Sequence, residues 1–272
     1  MFLVKPSLWS LLLFPCLLTI GLTIRLFIWI VNINIDPLKT PLVSRAGVLN
    51  VYFAGYSFEI FLVIFLLITG YIYLYKSQLV HYVGKHIGTL LPVTTDDLTP
   101  TQPKARMLAR QVLKLVIIYT WLSSLIVWFF GDSIFGRILK FTGGKCSNGD
   151  PKLGYHHCLA QDGNQWVGGV KLSGHSLILT CFTVSILFEQ LTLFKLYRIN
   201  DSNDLHLRRC GKELHAGIQA LAFILVIVWA FMFLITAIFY HTTLEKVVGV
   251  ACGLFIPYLL NIRYGFYFNP LL

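Results

Sequence analysis

Six stretches of this chain stay apolar for close to a helix's worth of membrane: residues 11–31, 58–75, 113–130, 177–196, 218–240 and 247–261. Between them the pattern turns polar, charged or rich in Gly and Pro. A bilayer core takes about 20 apolar residues of helix, so each stretch predicts a membrane span. The sixth is the shortest, and Gly249, Gly253 and Pro257 interrupt it. Breaks of that kind are tolerated where neighbouring protein covers the backbone. Lys5 precedes the first run, as in a signal peptide, but the run is longer than a usual leader core and no small-x-small site closes it. An uncleaved first span is expected. With no repeat and no low-complexity tail, residues 1–272 read as one polytopic membrane domain of all-α fold with about six transmembrane helices.

Composition agrees. Of 272 residues 56% are hydrophobic and only 12% are charged, against about a quarter charged in a soluble domain. The net charge of +10 would suggest nucleic acid in a soluble protein. Here the charges sit between spans, so they report topology and no nucleic-acid partner is expected. The N-terminal side holds Lys76, Lys85, Lys104, Arg106, Arg110, Arg198, Arg208, Arg209 and Lys212 in its loops, with Lys114 and Lys195 at helix ends. It is the richer side in Lys and Arg and therefore cytosolic. The opposite side carries the long loop 131–176, with Arg137, Lys140, Lys145, Lys152 and Lys171.

Cys146 and Cys158 are the cysteines of that loop. A lumenal loop allows them to form a disulfide; two free thiols are the alternative. Cys16, Cys181 and Cys252 fall within spans and read as packing residues. Cys210 is cytosolic, as is the sequon Asn200-Asp201-Ser202, which would stay unmodified.

Two histidines carry the candidate chemistry. Ser173-Gly174-His175 opens span four, and His241 follows span five in His241-Thr242-Thr243-Leu244-Glu245-Lys246. The span count puts both on the side of the long loop, at interface depth. A helix N-terminus offers unpaired N–H groups and partial positive charge to an anion. Gly174 lets that anion come close. Ser173 either caps the helix or donates to a phosphate oxygen, and His175 in the first turn is placed to protonate a leaving group. Four residues separate His241 from Glu245, one face of a helix. A carboxylate so placed orients the imidazole and raises its basicity, preparing a nucleophile. Lys246 adds charge for a phosphoryl group.

Each of these residues has a plainer reading: Ser173 as an N-cap, either histidine as a polar anchor, Glu245 and Lys246 as helix-end charges. Their joint placement favours catalysis. Elsewhere, His156-His157-Cys158 with Cys146 lacks the paired spacing of a zinc site, so no metal is expected. His81, His86, His206 and His215 read as cytosolic interface anchors, Asp96-Asp97 as a solvated loop and Arg25 as a snorkelling side chain. Glu189, inside span four beside Gln190, is either functional or a buried helix–helix contact.

Ser173-Gly174-His175 resembles the second motif (PSGH) of the type 2 phosphatidic acid phosphatases, and His241 with Glu245 the His-x-x-x-Asp end of their third. In that superfamily the first His protonates the leaving group and the second attacks phosphorus. Leu172 replaces the motif's Pro, Glu245 its Asp and Ile235 an Arg, and no Lys-x6-Arg-Pro motif occurs. A histidine pair with altered clamps is similar to the fat storage-inducing transmembrane (FIT) family, particularly its fungal members. The stretch Phe141 to Cys146, then Cys158, Trp166, Gly168-Gly169 and Ser173-Gly174-His175 looks like their lumenal loop; Thr236 to Thr242 with Glu245-Lys246-Val247 looks like their second signature. The likeness is good over roughly residues 110–260.

The resemblance implies an endoplasmic reticulum protein with six spans, cytosolic termini and lumenal histidines. It implies hydrolysis of fatty acyl-CoA to acyl 4′-phosphopantetheine and adenosine 3′,5′-bisphosphate, in support of lipid droplet formation and ER lipid homeostasis. Its partners are then fatty acyl-CoA and membrane lipids, with no cofactor. Arg137, Lys140, Lys145 and Lys171 are candidates to attract the substrate's phosphates. The rival expectations are a phosphatase for phosphatidate or lysophosphatidate and a non-catalytic neutral-lipid-binding protein.

Overall fold

The computed structural model describes residues 8–33, 47–87, 104–127, 132–150, 153–161, 163–201 and 209–264. Lys5, Asp96-Asp97, Lys152, His206 and the sequon's Ser202 lie outside them, and the side chains of His81, His86 and His156 are likewise not described. Six helices among these residues are long and apolar enough to cross a membrane: α1 (Leu8–Ile30), α2 (Ser57–Ile87), α3 (Lys104–Ile126), α6 (Gly174–Asp201), α7 (Arg209–Phe239) and α8 (Thr243–Tyr258). The protein is an all-α integral membrane protein. Three short elements fill the loop between α3 and α6: α4 (Ile134–Phe141), α5 (Tyr155–Leu159) and a two-stranded antiparallel ribbon pairing Lys145–Cys146 (β1) with Trp166–Val167 (β2).

The apolar surface sorts by depth. In the spanning part of α6, 72% of residues are buried, against 17% in α1, so α6 is the centre and α1 an outer staff. Phe182 of α6 stacks on Phe61 of α2, centroids 4.4 Å apart, with Trp229 of α7 6.0 Å away. Leu12, Ile20, Phe27, Val112, Val116, Phe223 and Ile224 remain exposed on the outside. In water that surface would be a liability; against acyl chains it is the solvated face.

Gly249 and Gly253, which interrupt the sixth apolar run, are the seam between α8 and α6. A Cβ at Gly249 would lie 2.8 Å from the Ser173 carbonyl oxygen, and one at Gly253 2.7 Å from that of Leu177. Small residues four apart let two membrane helices touch backbone to backbone. Pro257 is buried near the end of α8, where the helix passes into a π-helical turn, Leu259–Arg263. The seam sets the start of α6 beside the start of α8, and both histidine motifs lie there.

Several polar groups inside the bundle are paired across helices. Glu189 of α6 forms a buried ion pair with Lys114, which stands in the middle of α3 rather than at a helix end; Asn261 lies 3.5 Å from the same ammonium. Gln190 and Gln219 bond each other's backbone carbonyls at 3.2 and 3.4 Å. Glu189 is thus a helix–helix contact. His215, expected at the interface, is only 5% exposed and packs 5.4 Å from the Tyr71 ring. Breaking a buried pair leaves one charge uncompensated. Lys114→Met is therefore expected to destabilise the detergent-solubilised protein by about 3 kcal/mol, and Lys114→Met/Glu189→Gln to regain most of that, read by thermal unfolding.

Candidate active site

The site is built at the junction of three chain segments. Ser173 caps α6: its Oγ accepts from the Ser176 N–H at 3.2 Å and from the Ser176 hydroxyl at 2.9 Å, and the residue is fully buried. Its hydroxyl serves the helix, the plainer of its two readings. Gly174 and His175 follow in the first turn and open on a cavity of about 480 Å³. A Cβ on Gly174 would meet nothing within 4 Å, so the space before this helix N-terminus is free for a ligand. His175 Nε2 lies 2.8 Å from Asn50 Oδ1. Asn50 belongs to a π-helical turn, Leu49–Ala54, just ahead of α2.

His241 lines the same cavity from the break between α7 and α8. Its backbone is left-handed, φ +57°, a conformation that costs a non-glycine residue on the order of 1–3 kcal/mol unless its surroundings hold it. Arg25 of α1 provides one such hold, donating from Nη1 to the His241 carbonyl at 2.7 Å. Sequence placed Arg25 as a snorkelling side chain; the structure brings it to the histidine. Asn50 escaped the sequence reading altogether, since a single Asn in an apolar turn carries no motif.

Glu245 ties the parts together. Thr242 and Glu245 form a capping box at the start of α8, with the Thr242 N–H donating to Glu245 Oε2 at 2.8 Å. Oε1 accepts from the Lys171 N–H at 2.8 Å, and the Glu245 carbonyl accepts from the Ser173 N–H at 3.4 Å. Oε2 also stands 3.5 Å from His241 Nδ1. One carboxylate therefore fixes the α8 start, the strand of chain entering α6 and the imidazole. Burial pushes the His241 pKa below its ordinary value, with Lys171 acting in the same direction, while the Glu245 carboxylate and the Lys171 carbonyl pull it part of the way back. The ring is held neutral into mildly acidic conditions, the form a nucleophile needs.

The basic candidates divide. Lys171 lines the cavity, its ammonium on the Tyr155 hydroxyl and 4.0 Å over that ring. Lys246 does not line it: the residue is fully buried and its ammonium donates to the Ala237 carbonyl at 2.6 Å, closing the end of α7. Arg137 is held on its own loop, Nε donating to the Asp132 carbonyl at 3.0 Å, beside the Lys140–Asp132 ion pair. Ile235 and Leu172 do face the cavity, so the positions that differ from the lipid phosphatase motifs are on its wall. Cys146 and Cys158 are joined to each other as a disulfide, holding β1 to α5. Among the described residues no three His, Cys, Asp or Glu side chains gather as metal ligands.

The helix bundle and this histidine-lined cavity define a polytopic membrane protein with a site suited to an anionic group. The profile of the fat storage-inducing transmembrane protein family matches residues 42–260. The chain belongs to that family. It is 29% identical over 153 residues to acyl-coenzyme A diphosphatase fit1 of Schizosaccharomyces pombe, an alignment spanning 53% of each chain. It is 25% identical over 256 residues to acyl-coenzyme A diphosphatase YFT2 of Saccharomyces cerevisiae, covering 90% of this chain and 88% of that one. Human acyl-coenzyme A diphosphatase FITM2 is 29% identical over 148 residues, 52% of each chain. The chain thus spans about half the length of the first and third of these relatives. No solved structure matches it significantly.

Proposed function

We propose that this chain is a fatty acyl-CoA diphosphatase of the endoplasmic reticulum membrane, with cytosolic termini and a lumenal site, acting in lipid droplet formation and ER lipid homeostasis. One observation carries the reading: His175, His241 and the N-terminus of α6 open on a single cavity, in a family whose curated relatives bear that activity as their name. His241 attacks phosphorus, with Glu245 fixing its Nδ1 side. The α6 N-terminus at Gly174 receives phosphate oxygens, and His175 protonates the departing oxygen. Lys171 is the cation on the wall that meets substrate charge. The Cys146–Cys158 disulfide supports an oxidising compartment for the loop. The division of labour parallels that of the type 2 phosphatidic acid phosphatases. Spans, loops and site form one membrane domain.

The test is hydrolysis of palmitoyl-CoA by purified protein in liposomes, with adenosine 3′,5′-bisphosphate as the product detected. Phosphatidate and lysophosphatidate run alongside. Turnover of those lipids with acyl-CoA untouched overturns the substrate assignment; no turnover of any by folded protein leaves the non-catalytic lipid binder.

The depressed His241 pKa fixes the sign of a pH effect. The reactive neutral ring persists below the ordinary histidine value of about 6.5, so the acidic limb of kcat/KM is expected below that pH. Glu245 raises the His241 pKa, so Glu245→Gln, which can still complete the capping box, is expected to move the limb further to acid while lowering the rate. The linkage has the same sign. The folded state binds fewer protons at His241 than the unfolded chain, so its contribution to stability is complete above the unfolded value and is lost as pH falls below it. Arg25→Gln releases the His241 carbonyl. It is expected to cut kcat about tenfold with KM little changed, and Arg25→Lys to recover part of that.

A further inference from the structure

His175 stands between two cavities. One is the polar cavity already described. The other, about 350 Å³, adjoins it at the same residues: Asn50, Gly174 and His175 are common to both. The remainder of its wall is apolar: Ala54 and Gly55 before α2, Ile126 at the end of α3, Ile178 and Leu179 in the second turn of α6. Among the described residues, Asn50 and His175 supply its polar side chains. His241, Glu245 and Lys171 face only the first cavity. His241 thus lines one of the two cavities that meet at His175, and the other is apolar.

A phosphoanhydride of acyl-CoA has two halves of opposite character. Beyond one phosphorus lies adenosine with a further phosphate, strongly anionic. Beyond the other lies the pantetheine arm, which begins at a methylene and a gem-dimethyl carbon, carries a hydroxyl and two amides, and ends in an acyl chain. A wall of Ala, Ile and Leu side chains suits the second half and repels the first, because burying a phosphate without donors is costly. The leaving group departs past the acid that protonates it. Resting on the acyl-CoA diphosphatase reading, we propose that the apolar cavity holds the pantetheine arm, so that the acyl 4′-phosphopantetheine is the leaving group and His241 attacks the phosphorus bonded to adenosine.

The step balances. The His241 ring nitrogen forms a bond to the 5′-phosphorus. The bond from that phosphorus to the bridging oxygen breaks. The bridging oxygen keeps the electron pair, takes the proton of His175 and leaves as the phosphomonoester of the arm. Water then gives a proton back to His175 and its oxygen to the 5′-phosphorus, and the phosphorus–nitrogen bond breaks to release adenosine 3′,5′-bisphosphate.

The label in the products decides it. Palmitoyl-CoA is hydrolysed by the wild-type protein in water enriched in oxygen-18, and both products are weighed by mass spectrometry. One oxygen-18 in adenosine 3′,5′-bisphosphate is the expected result. Label in acyl 4′-phosphopantetheine overturns the proposal while leaving the diphosphatase reading intact; no hydrolysis at all overturns both. The cavity is probed separately with Ile178→Trp. The ratio of kcat/KM for palmitoyl-CoA to that for the truncated methyl ester of adenosine 3′-phosphate 5′-diphosphate should fall about tenfold or more. An unchanged ratio places the arm elsewhere.

Discussion

Replacing His241 with Asn is expected to abolish release of adenosine 3′,5′-bisphosphate, by about 10⁴-fold or more, in protein that inserts and folds as wild type does. The magnitude is that of losing a nucleophile, for which the rest of the site has no substitute. Asn is the informative replacement because it tolerates the left-handed backbone that residue 241 adopts; Ala would add strain to the chemical loss. His175→Ala is expected to cost about 10²–10⁴-fold, the range for a general acid, and less for a substrate whose leaving group is already a weak base. Both rings are only partly buried on a cavity wall, so neither change empties the core. Hydrolysis assays on variants of matched thermal stability are the check. Retained turnover in His241→Asn would remove the nucleophile from the mechanism.

The largest structural effect is expected at the α6–α8 seam. Gly249→Ala forces a Cβ to within 2.8 Å of the Ser173 carbonyl oxygen and 2.9 Å of the Ser176 Cβ; Gly253→Ala meets the Leu177 carbonyl oxygen at 2.7 Å and the Thr180 Cβ at 2.8 Å. The obstacles are backbone and the first carbon of a side chain, which cannot swing aside, so the helices must separate. Overpacking of this kind costs about 1–3 kcal/mol per site, and the two sites share one crossing, so the double variant should lose most of its folded fraction on heating in detergent. Activity should fall with stability, because separation at Ser173 moves His175 away from Glu245. Gly174→Ala is the matched control: its Cβ meets nothing within 4 Å, so the melting temperature should hold while turnover drops, the methyl now standing where phosphate oxygens approach. Equal melting temperatures for all three variants would contradict the seam.

The membrane helices were readable from sequence because hydrocarbon imposes its thickness on each run. The start of α3 was not. Arg106, Arg110 and Lys114 make its first three turns look like loop, and only the arrival of Glu189, 75 residues further along the chain, lets Lys114 be buried there. The histidine pair stands out in the sequence because each member sits at a helix boundary, and His241 has Glu245 four residues on. Their long-range holders were not: Asn50 is 125 residues from His175 and Arg25 is 216 from His241. Lys246 shows the converse. Adjacent to Glu245 in sequence, it points a helical step away, into the bundle and onto the end of α7.

The bond from Arg25 to the His241 carbonyl also bears on what counts as the working unit. The segment that matches the family profile begins at residue 42, beyond α1. A trimmed chain limited to that segment would retain both histidines, the capping box and the seam, and by resemblance alone would pass for a whole enzyme. It would lack the outer staff that reaches across to the backbone of His241, the proposed nucleophile. Two chains sharing the matched segment but differing in their first helix would then differ in how firmly that residue is held, and so in speed, with no change at any position the family likeness marks.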